Sequence, residues 1–491
     1  MRIPTFLVKL RQTSLWRHKW MFLTFGVFLL GSLPALYISI EKAKVKKERE
    51  SVNAKALENY HSFRKSWEAK SEISDLDSFF SPPVSEKDNF YAHPAYVAEL
   101  NKIHSPPLSA IHRDDIQGLN CNDDVFFATQ DAHNDTKGYP SRISEWLDPP
   151  QPGLPEKSAA QQCLKHIAIY DQRLNAISEA SKMPESNNSL HNRASSSNIN
   201  IHCSSLLARR AILRMAIGDT KQAQEDVQAM LRLASHTSKY HTFIGLTHTI
   251  FSYFDIEKTV WEGLSRHAFS DDELSKIDEK LSTVDLNALA LDAIRCEVTV
   301  FFANTELLKN TPKYMEPPFM SLESIDLKEP NTWDDFFDKP EHPGGFWIEH
   351  NLKHMKALVG IMLYPNGQRA RTILKPQVDQ IRNPEKARLL DYSAALTTYV
   401  KAAINRQAHI NNMRTAIAIE RFRLKNQSYP DNLRQLSPAY LPEIPIDIIT
   451  GKPVRYRIDN NNSPVVSSTA FDLFQESDPV AEIHWSYSPM P

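Results

Sequence analysis

Two histidines four residues apart, His350 and His354, form the most metal-like pair in this chain. At that spacing two imidazoles share one face of a helix, and the carboxylate of Glu349 stands beside the first of them. A zinc site needs three or four protein ligands, and the spacing names no third one. A solvated or partly buried pair is the simpler interpretation, so we predict no metal site here.

Two other groups carry side chains that could do chemistry. His236, His241 and His248 are close in sequence, but spacings of five and seven residues do not place three imidazoles on one helical face. The segment 333–338 mixes aromatic and acidic residues, which fits either a docking motif or a loop that packs its rings against the core. Neither group identifies a reaction.

The short motifs that mark common catalytic and cofactor sites are missing from the sequence. It has no His-Glu-x-x-His, Gly-x-Ser-x-Gly, Cys-x-x-Cys, phosphate-binding loop or Gly-x-Gly-x-x-Gly. We therefore predict no catalytic, cofactor-binding or metal-binding residue, no cofactor, and a protein that is not an enzyme. A hydrolase whose residues meet only in the folded chain remains the alternative.

Composition favours a helical protein that does not bind nucleic acid. The 491 residues carry a formal net charge of −2, so no overall electrostatic attraction draws the chain to nucleic acid. Only 13 residues are glycine, against a usual share of about 7%. Few glycines mean few tight turns and phosphate-cradling loops, which argues against Rossmann and all-β folds.

The four cysteines leave two alternatives open. Cys121, Cys163, Cys203 and Cys296 are widely spaced, and an even number outside the cytoplasm permits two disulfides in any of three pairings. Four buried thiols are the other interpretation, and nothing in the spacing chooses between them.

The segment Met21–Ile40 has twenty residues without a charge, flanked by the aromatic residues Trp16 and Trp20. A helix of that length spans about 30 Å, the thickness of the hydrocarbon core of a bilayer. The run is longer than the apolar region of a cleaved signal peptide. We expect an uncleaved anchor that contacts membrane lipid through residues 21–40. Basic residues flank both ends and do not decide the orientation, but we favour a cytoplasmic tail at 1–20 and an extracytoplasmic body.

Composition and periodicity divide the rest of the chain into three parts. These are a helical stalk with a proline-rich irregular region at 41–155, an α-helical body at 156–385, and a long helix with a small α+β end at 386–491. The stalk covers Glu41–Lys70, and the prolines of Asp75–Pro155 exclude long helices there. The stretch Asn310–Gly345 is also irregular.

Hydrophobic periodicity and capping signals predict the individual helices of the body. Met183–Asn200, rich in serine and asparagine, is predicted to be a flexible loop. Leu206–Ala223 resembles one tetratricopeptide-type hairpin turning at Gly218-Asp219, but no repeat follows 34 residues later. The predicted helices are Glu156–Lys182, Ser204–Ile217, one from Thr220, one starting at the N-cap Ser270, Leu286–Leu308, Phe346–Leu363 and Pro384–Lys425.

The end of the chain carries a Tyr-Pro pair after the long helix, then a leucine-rich turn and a Pro-x-Asp…Gly-x-Pro-x-x-Tyr pattern. This pattern resembles the globular part of type II secretion pseudopilins and pilin-like proteins, over about 45 residues. The resemblance implies that a long helix leads into a short β-sheet. The matching positions are Tyr429, Pro430, Leu433, Leu436, Leu441, Pro442, Pro445, Asp447, Gly451, Pro453 and Tyr456.

Two departures from that pattern limit what the resemblance implies. The anchor lacks the processing and assembly site of pilus subunits, and the acidic glycine-rich end that binds calcium in major pseudopilins is also missing. Asp472, Glu476 and Asp478 are acidic but match no calcium-binding pattern. The whole chain also resembles uncharacterised membrane-anchored helical proteins of bacteria.

Together these features predict a mostly α-helical single-pass membrane protein with a pilin-like end. We expect a non-catalytic binding or scaffold component of a bacterial envelope or secretion assembly, with a protein partner in the envelope. A membrane-anchored extracytoplasmic hydrolase without a recognisable motif is the alternative function.

Overall fold

The protein is described by a computed structural model. The structure describes residues 35–70, 72, 84–102, 143–147, 151, 153–186, 193–310, 384–460, 462–471 and 480–486, together with five isolated helical positions at 348, 352, 355, 356 and 359. Within these residues the chain is mostly α-helical, with one small antiparallel sheet near the C-terminus. The helices are α1 Ala35–Glu68, α2 Pro94–Lys102, α3 Glu156–Ile167, α4 Asp171–Ala180, α5 Arg193–Ile217, α6 Thr220–Ser238, α7 Phe243–Ser265, α8 Asp271–Ser282, α9 Leu286–Asn310 and α10 Pro384–Asn426.

The centre of the body is the hairpin of α5 and α6, against which α7 packs. The predicted turn at Gly218-Asp219 is confirmed: Gly218 has a φ of 90°, and Asp219 caps α6 by accepting a hydrogen bond from the amide of Gln222. Small residues such as Ala208, Ala211 and Ala223 are fully buried, which lets the helix backbones approach closely.

The long helix α10 crosses the body and packs against α7, α8 and α9. Five apolar residues of α10 are buried: Val400, Ala403, Ile410, Met413 and Ile417. The predicted N-cap Ser270 is confirmed, and it forms a capping box with Glu273. Two ion pairs then join α8 to α10: Arg414 to Asp278 at 2.8 Å and Arg421 to Asp271 at 2.7 Å.

The predicted stalk is helical, but its second half is part of the body. Tyr60 and Trp67 are buried, and the ring of Tyr60 meets those of Phe301 and Phe302 of α9 at centroid distances of 5.9 Å. Among the residues of α1 whose side chains the structure describes, Ala56 is the first that is buried. A spacer would therefore lie in the part of α1 before Ala56.

Two boundary predictions are wrong. Glu156–Lys182 is not one helix but α3 and α4, separated by a 3₁₀ turn at Ala168–Tyr170. Ile167, Tyr170, Leu174 and Ile177 are nevertheless all buried, so α3 and α4 face the same core. The predicted loop Met183–Asn200 ends earlier, because α5 begins at Arg193. Contact with the body overrides the weak helix propensity of its serines and asparagines.

The C-terminal sheet has the strand order β1-β2-β3, with β1 Arg455–Ile458, β2 Pro464–Phe471 and β3 Val480–Ser486, and β2 packs on α10. Asp447 organises the preceding turn. Its Oδ1 accepts hydrogen bonds from the amides of Ile449 and Thr450, and its Oδ2 accepts one from Thr469 of β2. Gly451 has a φ of 68°, a left-handed conformation that glycine adopts without strain.

Several predictions lie outside the described residues. They concern residues 1–34, which contain most of the predicted membrane span, the irregular stretch after Asn310, the segment 333–338, His350, His354, Asp472, Glu476 and Asp478. Among the helices that are described, none combines the length and apolar character needed to cross a bilayer.

The structure decides between the two cysteine alternatives. Cys163, Cys203 and Cys296 are buried thiols that form no disulfide, and Cys121 lies outside the described residues. Two disulfides among four cysteines would have to join at least two of these three. The two-disulfide alternative is therefore wrong. Burial raises the pKa of the Cys203 thiol to about 12, so this thiol stays protonated and unreactive.

Candidate functional site

The interface between α5 and α7 contains a group of charged and hydrogen-bonding side chains. His202, Ser205 and Arg209 follow a three- and four-residue spacing on α5, which places them on one face. His248, Asp255 and Lys258 are spaced seven and three residues apart, which places them on one face of α7. We call these six residues the polar seam.

The buried part of the polar seam is a hydrogen-bonded contact between the two helices. The Ser205 hydroxyl donates to Asp255 Oδ2 at 2.5 Å, and both residues are buried. Arg209 is only 2% exposed, and its Nη1 donates to the Ser205 carbonyl oxygen at 2.8 Å. The guanidinium of Arg209 and the carboxylate of Asp255 are thus held in a low-dielectric interior, where electrostatic interactions are stronger than in water.

The two histidines of the polar seam are neutral at pH 7. Burial, with the neighbouring His202 as the second cause, lowers the pKa of His248 to about 4. Burial also lowers the pKa of His202, with Arg209 as the second cause. Nδ1 of His248 is buried and has no hydrogen-bond partner among the residues that the structure describes. This imidazole therefore keeps unused hydrogen-bonding capacity.

Lys258 lies at the half-buried edge of the polar seam. Its Nζ is 4.1 Å from the centroid of the Phe254 ring. Burial lowers the pKa of this lysine to about 8, although Asp255 acts in the opposite direction. A substantial fraction of this amine is therefore unprotonated at slightly alkaline pH.

An ion-paired group on α7 and α10 flanks the polar seam. Glu257 accepts a hydrogen bond from His409 Nδ1 at 2.7 Å and a second one from Arg406. The Arg406 guanidinium carbon also lies 5.0 Å from the centroid of the Phe254 ring. Burial alone would raise the pKa of Glu257, but His409 and Arg406 lower it to about 2. This carboxylate is therefore ionised and its charge is balanced by its two partners.

The structure places the three histidines singled out in the sequence at three different positions. His236 stacks on Phe90 at a centroid distance of 4.4 Å, and its Nε2 is 2.9 Å from the Ser181 carbonyl oxygen. His241 Nδ1 is 3.0 Å from Asp292 Oδ2. Only His248 belongs to the polar seam. In the described part of the chain, no three His, Cys, Asp or Glu side chains are arranged to hold a metal ion.

Sequence reasoning missed the polar seam, although one signal was available. Polar residues recur at positions 202, 205 and 209, on one face of a segment that is otherwise rich in alanine, leucine and isoleucine. An amphipathic pattern of this kind usually marks a solvent-facing side. It could not show that this face meets Asp255, which lies fifty residues further along the chain.

Comparison with known proteins adds no assignment to this geometry. No protein family, curated protein or solved structure matches the chain.

Proposed function

We propose that this protein is a single-pass membrane protein whose helical body acts outside the cytoplasm. In this proposal it is a non-catalytic binding or scaffold component of a bacterial envelope or secretion assembly. Residues 21–40 form the anchor, and a protein of the envelope is the partner.

One observation carries the proposal. Helix α1 is continuous from Ala35 to Glu68, and its second half is built into the core through Tyr60 and Trp67. A span ending at Ile40 would be followed by a spacer of fifteen residues before Ala56, or about 22 Å of helix. An anchored N-terminus would therefore hold the whole body at a set height above the membrane, as suits a scaffold.

The C-terminal end supports the link to secretion assemblies. The long helix α10 ends at Asn426, shortly before the Tyr429-Pro430 pair, and it packs on a short antiparallel sheet. The Tyr456 hydroxyl donates to the Pro430 carbonyl oxygen at 2.8 Å, which ties the two ends of the pseudopilin-like pattern together. A long helix followed by a small sheet is the arrangement that the resemblance implies.

Fusion reporters on the full chain test the anchor and its orientation. A C-terminal alkaline phosphatase fusion should be active and a C-terminal green fluorescent protein fusion dark, because the first matures outside the cytoplasm and the second inside. Replacing Leu29 and Leu30 with lysine should release the protein from the membrane fraction, since charges at mid-bilayer are costly. Val227→Leu within the body is the matched control. A cytoplasmic C-terminus would contradict the proposal.

Cross-linking in native membranes tests the scaffold role. The tagged full-length protein should give a reproducible set of envelope or secretion proteins by mass spectrometry. The released lysine variant should lose that set, because it no longer reaches the membrane. If the wild-type protein and the released lysine variant gave the same set of cross-linked proteins, a membrane-held scaffold would be contradicted.

A specific observation favours the second candidate, an extracytoplasmic hydrolase. The polar seam brings a serine, a carboxylate, two neutral histidines and a lysine with a lowered pKa to one helix interface. Against catalysis, the Ser205 hydroxyl is buried and donates its hydrogen bond to the Asp255 carboxylate, not to an imidazole. A serine-directed fluorophosphonate probe distinguishes the two. Labelling at Ser205 that disappears in Ser205→Ala would favour the hydrolase, and unlabelled folded protein would favour the binding role.

A further inference from the structure

Residues 84–102, which we call the strap, lie against the ends of α4, α5 and α6. The strap consists of two 3₁₀ turns followed by helix α2. In the described part of the chain, its backbone makes two hydrogen bonds to the body. The Phe90 amide donates to the Glu185 carbonyl oxygen at 2.8 Å, and the Glu185 amide donates to the Asp88 carbonyl oxygen at 3.2 Å. With so little backbone pairing, its attachment depends on side chains.

These side chains form two polar contacts and an aromatic cluster. Glu99 of α2 is buried and accepts a hydrogen bond from Arg173 Nε of α4 at 2.8 Å. Asn200 of α5 donates to the Tyr91 hydroxyl at 3.2 Å. The Tyr91 ring also meets that of Tyr240, which follows α6, at a centroid distance of 5.3 Å. The strap is therefore held at separate points by three elements of the body.

His236 of α6 is a polar member of the aromatic cluster. Its ring is parallel to that of Phe90, and its Nε2 contacts the Ser181 carbonyl oxygen. Because a carbonyl only accepts, the proton of the neutral ring is on Nε2 and the basic nitrogen is Nδ1. Nδ1 is buried without a hydrogen-bond partner among the described residues. A proton added there would create a buried charge that has no acceptor.

The charged groups around His236 do not compensate for a positive imidazole. Arg232 and Lys239 are cations, and the carboxylate of Glu185 is already paired with Lys239 at 2.9 Å. Burial lowers the pKa of His236 to about 4, although the hydrogen bond to Ser181 acts in the opposite direction. Further charged or titratable groups on the strap and near Arg232 are Glu86, Lys87, Asp88, Tyr91, His93, Tyr96, Glu99, Glu179 and Glu225.

We propose that the strap is an acid-operated clasp: protonation of His236 releases residues 84–102 while the rest of the body stays folded. Release lets water reach the imidazole and uncovers the face of α5 that carries Asn200 and Cys203. The Cys203 thiol lies near the strap, since both Glu99 and Arg173 act on it electrostatically.

The direction of the effect follows from the two states of the histidine. The closed strap disfavours the proton, whereas a histidine in water has a pKa of about 6.5. The contribution of the neutral imidazole to closure is therefore fully present above pH 6.5 and is lost as the pH falls toward 4. The inference does not rest on the proposed membrane role, because the clasp is tested in the purified protein.

Thiol labelling of the full-length protein in detergent tests the clasp. 4,4′-Dithiodipyridine reacts with thiols in acid, and mass spectrometry gives the rate at each cysteine relative to unfolded protein at the same pH. Between pH 7.5 and 5 the relative rate at Cys203 should rise by up to about thirtyfold. Cys296, a buried thiol of α9, should keep its rate, because the body stays folded.

Matched variants assign the acid response to one histidine. His236→Gln cannot be protonated and should remove most of the rise at Cys203, whereas His241→Gln, at a partly exposed histidine, should keep it. Glu99→Gln weakens the pair with Arg173 and should speed labelling of Cys203 at both pH values without abolishing the rise. This variant alters the strap and preserves the test if His236→Gln does not fold.

Three outcomes would overturn the proposal. One is a Cys203 rate in folded wild-type protein that is the same at pH 7.5 and 5. Another is a parallel rise at Cys296, because the whole body would then be opening. The third is an acid response that persists in folded His236→Gln or disappears in Glu99→Gln, since His236 would then not be the switch.

Discussion

Helix α5 presents two neighbouring arginines to two different interfaces, and their surroundings differ. Arg209 and Arg210 are each 2% exposed. Arg210 points toward α6, where its Nε and Nη2 donate to Asp226 at 3.1 and 2.6 Å and its Nη1 donates to Asp171 at 2.6 Å. Arg214 adds a further ion pair with Asp226 at 2.6 Å. We call these four residues, Arg210, Arg214, Asp226 and Asp171, the closed network.

The polar seam on the other side of α5 is organised differently. It contains histidines kept neutral by burial and an imidazole nitrogen without a partner among the described residues. Buried ion pairs that satisfy each other hold helices in register and offer nothing to a ligand. Unused donors and lowered pKa values, by contrast, are typical of binding and catalytic sites. The comparison separates an ion-pair network whose members satisfy one another from a helix contact that keeps an imidazole nitrogen without a partner among the described residues.

The largest effect is expected from opening the closed network. Asp226→Ala removes the carboxylate shared by Arg210 and Arg214 and leaves a buried guanidinium without its main partner. We expect the free energy of unfolding to fall by about 3–5 kcal/mol, measured by chemical denaturation in detergent. The control is Asp272→Ala, which breaks an exposed pair with Lys276 and should cost less than about 1 kcal/mol. An equal loss of unfolding free energy in Asp226→Ala and Asp272→Ala would contradict the structural role of the closed network.

Acid should weaken the polar seam through His248. Its pKa is about 4 in the folded protein and about 6.5 when unfolded, so the unfolded chain binds the extra proton first. The contribution of the neutral His248 to the free energy of unfolding is therefore fully present above pH 6.5. It is lost as the pH drops from 6.5 to 4, by up to about 3 kcal/mol.

The melting temperature between pH 7 and 4.5 measures this loss. His248→Gln cannot be protonated and should make the profile less steep over that window, while His236 and His202, whose pKa values burial also lowers, keep part of the acid sensitivity. His241→Gln, at a partly exposed histidine paired with Asp292, is the control. An unchanged profile in His248→Gln would show that this histidine is not held neutral by the fold.

A moderate effect is expected from the buried contact between Ser205 and Asp255 in the polar seam. Ser205→Ala removes the hydroxyl that donates to Asp255 and should lower the free energy of unfolding by about 1–2 kcal/mol. Ser238→Ala serves as control, because this exposed hydroxyl bonds only to the carbonyl of Ser235 in its own helix turn. If the denaturation curves of Ser205→Ala and Ser238→Ala coincided, the role of Ser205 between the two helices would be contradicted.

The smallest effect is expected at the edge of the closed network. Arg214 is 15% exposed in its side chain, and Asp226 keeps Arg210 when Arg214 is replaced. Arg214→Met should therefore lower the free energy of unfolding by about 1 kcal/mol, well below the loss in Asp226→Ala. A loss as large as that of Asp226→Ala would show that Arg214, rather than Arg210, is the essential partner.

Local patterns predicted much of the fold and little of the site. The Gly218-Asp219 turn, the Ser270 cap and the long C-terminal helix depend on residues within a few positions of one another, so the sequence revealed them. The break between α3 and α4 has no glycine or proline to mark it, and the early start of α5 contradicts its polar composition. Both depend on packing against the rest of the body.

The sequence by itself determined that this protein is mostly helical, where its main turns and caps lie, and that a twenty-residue apolar run precedes the body. Only the tertiary structure decided which polar residues meet. Ser205 and Asp255 are fifty residues apart, and Glu257 and His409 are separated by 152. Helical periodicity reports which residues share a face, but not which helix that face will contact. The tertiary packing alone therefore distinguishes the closed network of Arg210 from the polar seam of Arg209.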